Sequence, residues 1–311
     1  VADYKSDYLQ SVLESHRMGH IKDLISDYRT KRDEIKSFLN EQYGNKIYDA
    51  FNSGSYKKYT AINTKFDLDV VVPFKYKSFT TLEEMFDDVY AKLNEKYEDE
   101  CAIKKQGVSI GLSFEGDQVD IDIVPARETS IDSFSDKKDL NLHKSNGGYL
   151  KTNIHSQIDH IKAKQNERKV IRLLKIWKHQ NNHKYKSFFI ELLVIKAYEK
   201  EKPKGTLWEQ LSSVLAYAIK NINTENFSLI DPGNTNNNLM NTLDDLQKAS
   251  LVSLFKRLLY QVEQNEKNIM LYFEKNEEFA VEQEDEFNDK TYGLKKSAVV
   301  ISTPPSSSRF G

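Results

Sequence analysis

The sequence predicts an α+β protein, with a small mixed sheet and flanking helices followed by a lobe built mainly of helices. Three observations carry that prediction. Residues 66–72 (FDLDVVV) and 118–126 (QVDIDIVPA) read as strands whose apolar positions belong to a buried sheet. Residues 4–43 and 79–97 carry apolar residues at helical spacing. After Pro125 the composition shifts toward helix.

In chain order, residues 4–43 read as helix in two pieces around Gly19. Leu24, Ile25, Tyr28, Ile35, Phe38 and Leu39 form its apolar stripe, and Gly44 is the stop. A small-residue corner, Gly54-Ser55, precedes the first strand. A second helix over 79–97 turns Leu82, Met85, Phe86, Val89 and Leu93 inward. Residues 102–114 and 118–124 are two strand candidates joined by Glu115-Gly116-Asp117. The segment 130–152 has few periodic apolar residues and contains Asn146-Gly147-Gly148, so it reads as a connection between lobes. Residues 161–186 hold nine Lys and Arg against one acid, Glu167. On a helical wheel Val170, Leu173, Leu174 and Trp177 share one face, and Arg168, Arg172, Lys175 and His179 share the opposite one. Residues 230–238 form a polar Asn-rich loop with turn chemistry, residues 244–275 return to helix, and 274–289 are acid-rich surface. The predicted division is a catalytic lobe over 1–129, a helical substrate-binding lobe over 130–300 and a flexible tail over 301–311.

The chemistry centres on residues 51–72. Alternation along a strand puts Asp67 and Asp69 on one face, with Leu68, Val70 and Val72 behind them. A solvent-facing pair on an edge strand is the ordinary alternative, but the Val-rich run argues for a buried strand. Two buried carboxylates repel unless a cation neutralises them, and oxygen-only ligation favours magnesium or manganese. Gly54 allows close backbone approach and Ser55 adds a hydroxyl, which suits a phosphate. In QVDIDIVPA, Asp120 and Asp122 alternate with Val119, Ile121 and Ile123, so one of them can complete a triad from a neighbouring strand. The pattern describes a site for a metal-bound nucleoside triphosphate.

A Gly-Ser corner, a D-x-D at this distance and a strand ending D-I-V-P-A resemble the nucleotidyltransferases of the DNA polymerase β superfamily. Within it the chain is most similar to the oligoadenylate synthase, cyclic GMP-AMP synthase and bacterial CD-NTase group, by motif from Gly54 to Asn238. The resemblance implies a bilobal nucleotidyltransferase fold, a long N-terminal helix bracing both lobes, and Asp67, Asp69 and Asp122 as catalytic, metal-binding carboxylates, with Asp120 a neighbour. It implies that Lys175, in Leu173-Leu174-Lys175-Ile176-Trp177, grips the triphosphate tail, and that Ser187, ahead of Glu191-Leu192-Leu193, assists it. Gly54 and Ser55 complete the substrate contacts. Tyr59 stands where many relatives have Gly, and Phe66 where many have Ser; neither is a metal ligand. The D-P-x-N-x-x-N-N pattern of residues 231–238 is typical of the group. The implied reaction uses two divalent ions, Mg²⁺ or Mn²⁺ in its place, in an in-line displacement: a ribose hydroxyl attacks the α-phosphorus of a second nucleotide and pyrophosphate leaves. The implied product is a cyclic di- or trinucleotide second messenger of the anti-phage CBASS type, read by a nucleotide-activated effector.

Composition agrees with a soluble enzyme. Of 311 residues, 39% are hydrophobic and 30% charged, and the mean hydropathy is -0.65. A net charge of -2 argues against a stable nucleic-acid partner. The single Cys101 excludes an intramolecular disulfide and cannot supply a His-Cys zinc clip. The apolar stretch FFIELLVIKAY is too short to span a bilayer, so no membrane partner is expected and the cytoplasm is the expected location. His179-x-x-x-His183 reads as a polar helix end, and no P-loop or serine-hydrolase motif is present. Rival readings are a linear oligonucleotide synthase or RNA-tailing enzyme, a catalytically silent nucleotide-binding protein, and a small-molecule transferase. The final stretch, Ser302 to Gly311, is expected to be a mobile tail whose Gly311 could serve as a conjugation handle for ubiquitin-like E1- and E2-type partners.

Overall fold

The computed structural model describes residues 3–114 and 119–280. The first helical stretch breaks as expected near Gly19. Helix α1 (Tyr4–Ser15) and helix α2 (Lys22–Tyr43) are separated by a 3-10 turn over Met18–Ile21. Gly44 ends α2 with φ +48°, a conformation that costs glycine little. The two pieces serve different cores: Leu9 and Val12 of α1 join the helical cluster, while Tyr28, Ile35 and Leu39 of α2 pack on the sheet.

The sheet follows from the apolar patterning. Strand β1 (Phe51–Ser53) leads into a single helical turn, α3 (Gly54–Lys57), and then strand β2 (Leu68–Phe74). Helix α4 (Leu82–Tyr97) is capped by Thr81, whose side chain accepts the Glu84 N–H. Strands β3 (Ala102–Lys105), β4 (Ile110–Phe114) and β5 (Val119–Glu128) follow. The strand order is β1-β2-β5-β4-β3, with β2 and β5 parallel and the remaining pairs along that path antiparallel. Leu68, Val70, Val72, Ile121 and Ile123 face α2 and α4. Val71, Val124 and Ala126 occupy the other face with a smaller apolar group around Phe134 and Leu142.

Two sequence expectations are corrected. Residues 102–114 form a hairpin, because the turn at 106–109 closes through a Gln106 N–H bond to the Ser109 carbonyl at 2.8 Å. The segment 130–152 is part of the sheet, not a bare connection. It contains a short helix, α5 (Ser133–Lys137), and strands β6 (Leu140–His143) and β7 (Tyr149–Thr152), with β6 paired to the end of β5. Its apolar signal is weak because it covers one face with few residues, Phe134, Leu140 and Leu142 with half-buried Leu150 beside them.

Beyond the sheet lie helices α6 (Ile154–Lys162), α7 (Gln165–Gln180), α8 (Ser187–Glu201), α9 (Leu207–Asn221) and α10 (Asp245–Gln264). Trp177, Phe189, Leu193, Leu211, Leu215 and Phe255 pack there with α1. Complete capping boxes, Thr206 with Glu209 and Asp244 with Gln247, fix the starts of α9 and α10. Among the described residues, no helix is long and apolar enough to cross a membrane.

The D-P-x-N-x-x-N-N loop forms a two-stranded ribbon, β8 (Ile230–Asp231) with β9 (Asn234–Asn238). Asp231 is buried and accepts hydrogen bonds from Gln157 Nε2 (2.9 and 3.1 Å), the Gly233 N–H (2.7 Å) and Asn237 Nδ2 (3.1 Å). Asn238 Oδ1 accepts from the Leu229 and Met240 N–H groups at 2.9 and 3.1 Å. The motif is therefore a buried polar staple tying the ribbon to α6. Replacing Asp231 with Ala strands the Gly233 N–H and Asn237 Nδ2 and leaves Gln157 Nε2 only its 3.2 Å bond to Thr152 Oγ1. Each lost bond to a charged partner is worth about 1.5–3 kcal/mol before relaxation. The expected result in chemical denaturation is a loss of about 2–4 kcal/mol. A midpoint matching the parent chain would show that the staple contributes nothing.

Candidate active site

The parallel register of β2 and β5 pairs Leu68 with Ile121 and Asp69 with Asp122. Asp69 and Asp122 are therefore direct cross-strand neighbours on one face, as the pattern required. Asp67 lies one residue before β2, beside Asp120 across the same register. Burial raises the pKa of both Asp67 and Asp69. Asp69 is pushed well above the ordinary value, with the charges of Asp67 and Asp122 adding to the effect of burial.

Asp120 has a different setting. It accepts a hydrogen bond from Ser113 Oγ, and its N–H donates to the Tyr28 hydroxyl at 3.0 Å. These contacts bind it to β4 and α2, whereas Asp122 sits against Asp69. The register thus sets Asp122, and not Asp120, directly beside Asp69.

Gly54 has a more local reason than approach to phosphate. Its φ is +66°, and a Cβ there would fall far inside contact distance of Asp69 Oδ2. The missing side chain is what gives the Asp69 carboxylate its place. Ser55, half-buried in the same turn, accepts the Thr60 N–H through its carbonyl at 3.0 Å. Tyr59 also has a positive φ, +58°, and its ring is exposed beneath the Arg168 guanidinium at 5.1 Å. A residue with a side chain pays about 1–2 kcal/mol in this region, a cost that glycine would avoid.

Lys175 departs from the helical wheel. The wheel set it on an outward face, yet its Nζ donates to the Thr60 carbonyl at 2.8 Å and lies near Asp67. Burial is the first cause of its low pKa, about 8, partly offset by Glu191 and Asp67. The wheel failed because α7 packs on both sides, with Trp177 in the helical core and Lys175 against the loop before β2. Ser187 begins α8, and its Oγ accepts from Lys178 Nζ at 3.3 Å. Lys178 was not singled out in the sequence; its spacing three residues after Lys175 on one helix was the available signal.

Lys58 was missed as well. Its Nζ forms a buried 2.9 Å ion pair with Glu191 Oε1 and lies over the Phe188 ring at 4.5 Å. Its charge also lowers the pKa of Asp69 against the larger effect of burial. Arg168 and Arg172 border two cavities of about 480 and 860 Å³ beside α3, neither lined by the three carboxylates. Arg17, Lys22, Arg29 and Arg32 join Arg172 around the larger one.

A family model for the Second Messenger Oligonucleotide or Dinucleotide Synthetase domain matches residues 6–165. The chain belongs to that family. The matched span contains Gly54, Ser55, Asp67, Asp69 and Asp122, while Lys175 and Ser187 lie beyond it. A curated relative, the cyclic AMP-AMP-AMP synthase of Escherichia coli (strain MS 115-1), is 25% identical over 201 residues. That match covers 60% of this chain and 62% of the relative's length. Among solved structures, CdnC of E. coli MS115-1 with ATP is 20% identical, with a TM-score of 0.68 over 87% of this chain and 96% of that one. CdnG of Bradyrhizobium diazoefficiens, a CD-NTase in complex with GTP, is 14% identical, with a TM-score of 0.70 over 88% of this chain and 95% of that one. These likenesses establish the expected fold, a mixed sheet with flanking helices and a helical lobe.

Among the described residues, no three Asp, Glu, His or Cys side chains converge as a ready ligand set for one ion. Asp69 leans over Gly54 and Asp122 toward Gln106, the spread expected of repelling carboxylates. Gly311 lies outside the described residues, as does the turn Glu115-Gly116-Asp117.

The raised pKa values predict a pH signature. A carboxyl whose folded pKa is raised contributes stability that is full below its unfolded value, near 3.8, and is lost as pH rises through the folded value. In chelator, melting temperature is therefore expected to rise as pH falls from about 7.5 to about 5. Asp67→Asn combined with Asp69→Asn is expected to flatten that rise and to leave the neutral-pH protein as stable or more so. Parallel melting curves for the two proteins across this range would refute the carboxylate repulsion.

Proposed function

We propose that this chain is a metal-dependent nucleotidyltransferase that joins nucleoside triphosphates into a cyclic di- or trinucleotide second messenger, releasing pyrophosphate, in cytoplasmic antiviral defence of a bacterium. The observation that carries the reading is the Asp69–Asp122 cross-strand pair with Asp67 beside it, inside the span matched by the family model. The curated relative's name and the nucleotides in the related structures support the substrate class.

The donor set fits a hard divalent cation. Asp67 is exposed and Asp69 half-buried, yet desolvation and neighbouring acids raise both carboxyls, and Asp122 adds a third carboxylate. Asp67, Asp69 and Asp122 would hold Mg²⁺, or Mn²⁺ in its place. When bound, the metal supplies charge neutralisation for attacking and leaving oxygens.

The chain's own groups do the rest. Gly54 leaves room for Asp69, so the carboxylate is set by the backbone before substrate arrives. Ser55 offers a hydroxyl at the start of the same turn. Lys175, held by Thr60, and Ser187, held by Lys178, orient the triphosphate tail of the donor. Asp122 serves the attacking hydroxyl of the second nucleotide. A phosphate arriving beside Lys175 favours its charged form, so binding should be accompanied by proton uptake near pH 8. Ring closure then needs only that the linear product turn in the cleft and present its own hydroxyl.

Incubating the chain with labelled ATP, GTP, CTP and UTP plus Mg²⁺ or Mn²⁺, followed by phosphatase, tests the reading. Phosphatase-resistant product lost in Asp122→Ala is expected. With label on the α-phosphorus, a linear product loses its 5′-terminal phosphates and keeps label only in its internal phosphodiesters, whereas a ring keeps all of it. Label released entirely as phosphate under every pairing means that no nucleotides were joined and removes the proposal. Lys175→Met is expected to raise the apparent triphosphate KM by roughly 10- to 150-fold, the loss of a charge-assisted contact of about 1.5–3 kcal/mol. An unchanged KM with a large fall in melting temperature would make Lys175 a structural residue.

A further inference from the structure

Gln106 lies in the β3–β4 turn, outside every motif considered above. Its side chain is exposed, yet its Nε2 donates to Asp122 Oδ1 at 3.1 Å. The other end of the carboxamide is held too, because Ser109 Oγ donates to Gln106 Oε1 at 3.2 Å. The turn itself is braced by the Gln106 N–H to Ser109 carbonyl bond and by Ser145, whose N–H donates to the Gly107 carbonyl at 2.9 Å. The amide plane therefore has contacts at both ends and a fixed base.

Gly111 makes this reach feasible. In the β4–β5 register it stands directly opposite Asp122. A Cβ on Gly111 would collide with Gln106 Nε2 and come within 3.1 Å of Asp122 Oδ1. The space above Gly111 is thus occupied by the Gln106–Asp122 hydrogen bond. Just as Gly54 makes room for Asp69, Gly111 makes room for the group that grips Asp122.

We propose that Gln106 is a positioning residue that orients the Asp122 carboxylate for divalent-cation binding, an inference that rests on the metal-dependent reading of the site. The choice of a carboxamide has a physical reason. A Lys or Arg at this position would also hold Asp122 but would cancel the charge the cation needs. A neutral donor restricts the carboxylate's rotation and leaves its full negative charge. Between turnovers it also gives a partner to an oxygen that stands beside another carboxylate.

The test is a manganese titration of the whole chain with a non-hydrolysable ATP analogue, read by electron paramagnetic resonance or calorimetry. It compares the parent, Gln106→Ala, Gly111→Ala, the double variant and Asp122→Ala. Each single change at 106 or 111 is expected to weaken Mn²⁺ binding by roughly 10- to 100-fold, the range for groups that orient metal ligands. The double variant is expected to be no weaker than the weaker single, because both changes remove one interaction. Melting temperatures of Gln106→Ala and the parent should agree, since the side chain is exposed, which separates positioning from a folding defect. If Gly111→Ala fails to fold, Gln106→Ala alone decides the matter: a titration that superposes on the parent overturns the inference. Independent, additive losses at the two positions overturn it as well. Parent binding destroyed by Asp122→Ala but untouched by Gln106→Ala sinks this inference and leaves the metal reading standing. A parent chain that binds no Mn²⁺ sinks both.

Discussion

Mutual repulsion among carboxylates gathered on one face of a parallel strand pair is the condition to which the surrounding structure is fitted. The β2–β5 register fixes Asp69 beside Asp122, so their side chains can only lean apart, and Asp67 enters from the residue just before the strand. Burial makes the repulsion expensive and raises the pKa of Asp67 and Asp69. The protein offsets part of this with the charges of Lys58 and Lys175. The remainder is repulsion that a divalent cation would relieve under the metal-dependent function proposed above.

Those two lysines also explain how the sheet and the helices cooperate. Lys58 follows α3 and pairs with Glu191 of α8, both side chains nearly buried at 9% and 7% exposure. Lys175 of α7 holds the Thr60 carbonyl two residues further on. The segment after the Gly-Ser corner is thus pinned from two helices. A buried ion pair contributes little net stability but is costly to break, so it specifies one arrangement of corner and helices. The positive φ of Tyr59, between the two anchors, is the local strain of that arrangement.

Glycine carries an unusual share of the geometry. Gly54 follows Ser53, the strand partner of Asp69, and Gly111 is the strand partner of Asp122. A side chain on either glycine would collide with the acid itself or with the group holding it. In a site made of short carboxylates on adjacent strands, the room to orient them has to come from the neighbouring backbone. The sequence reading assigned Gly54 the role of phosphate approach; the structure shows a steric requirement at that position, room for the Asp69 carboxylate.

The amino-acid sequence by itself determined the parts that depend on local periodicity and residue chemistry. The broken N-terminal helix, the α4 face from Met85 to Leu93, the two acidic strands and the Gly-Ser corner were all legible. Each is written in consecutive residues whose spacing sets which side they present. Tertiary structure decided what depends on residues far apart in the chain. It assigned the 130–152 segment to the sheet, because pairing with the end of β5 needs few apolar residues. It turned Lys175 inward, since a helical wheel shows the angle of a side chain but not that a second element packs there. It brought Gln106 to Asp122, Lys58 to Glu191 and Gln157 to Asp231, separations of 16, 133 and 74 residues. No local pattern encodes such partners; register and helix packing alone bring them within hydrogen-bonding distance.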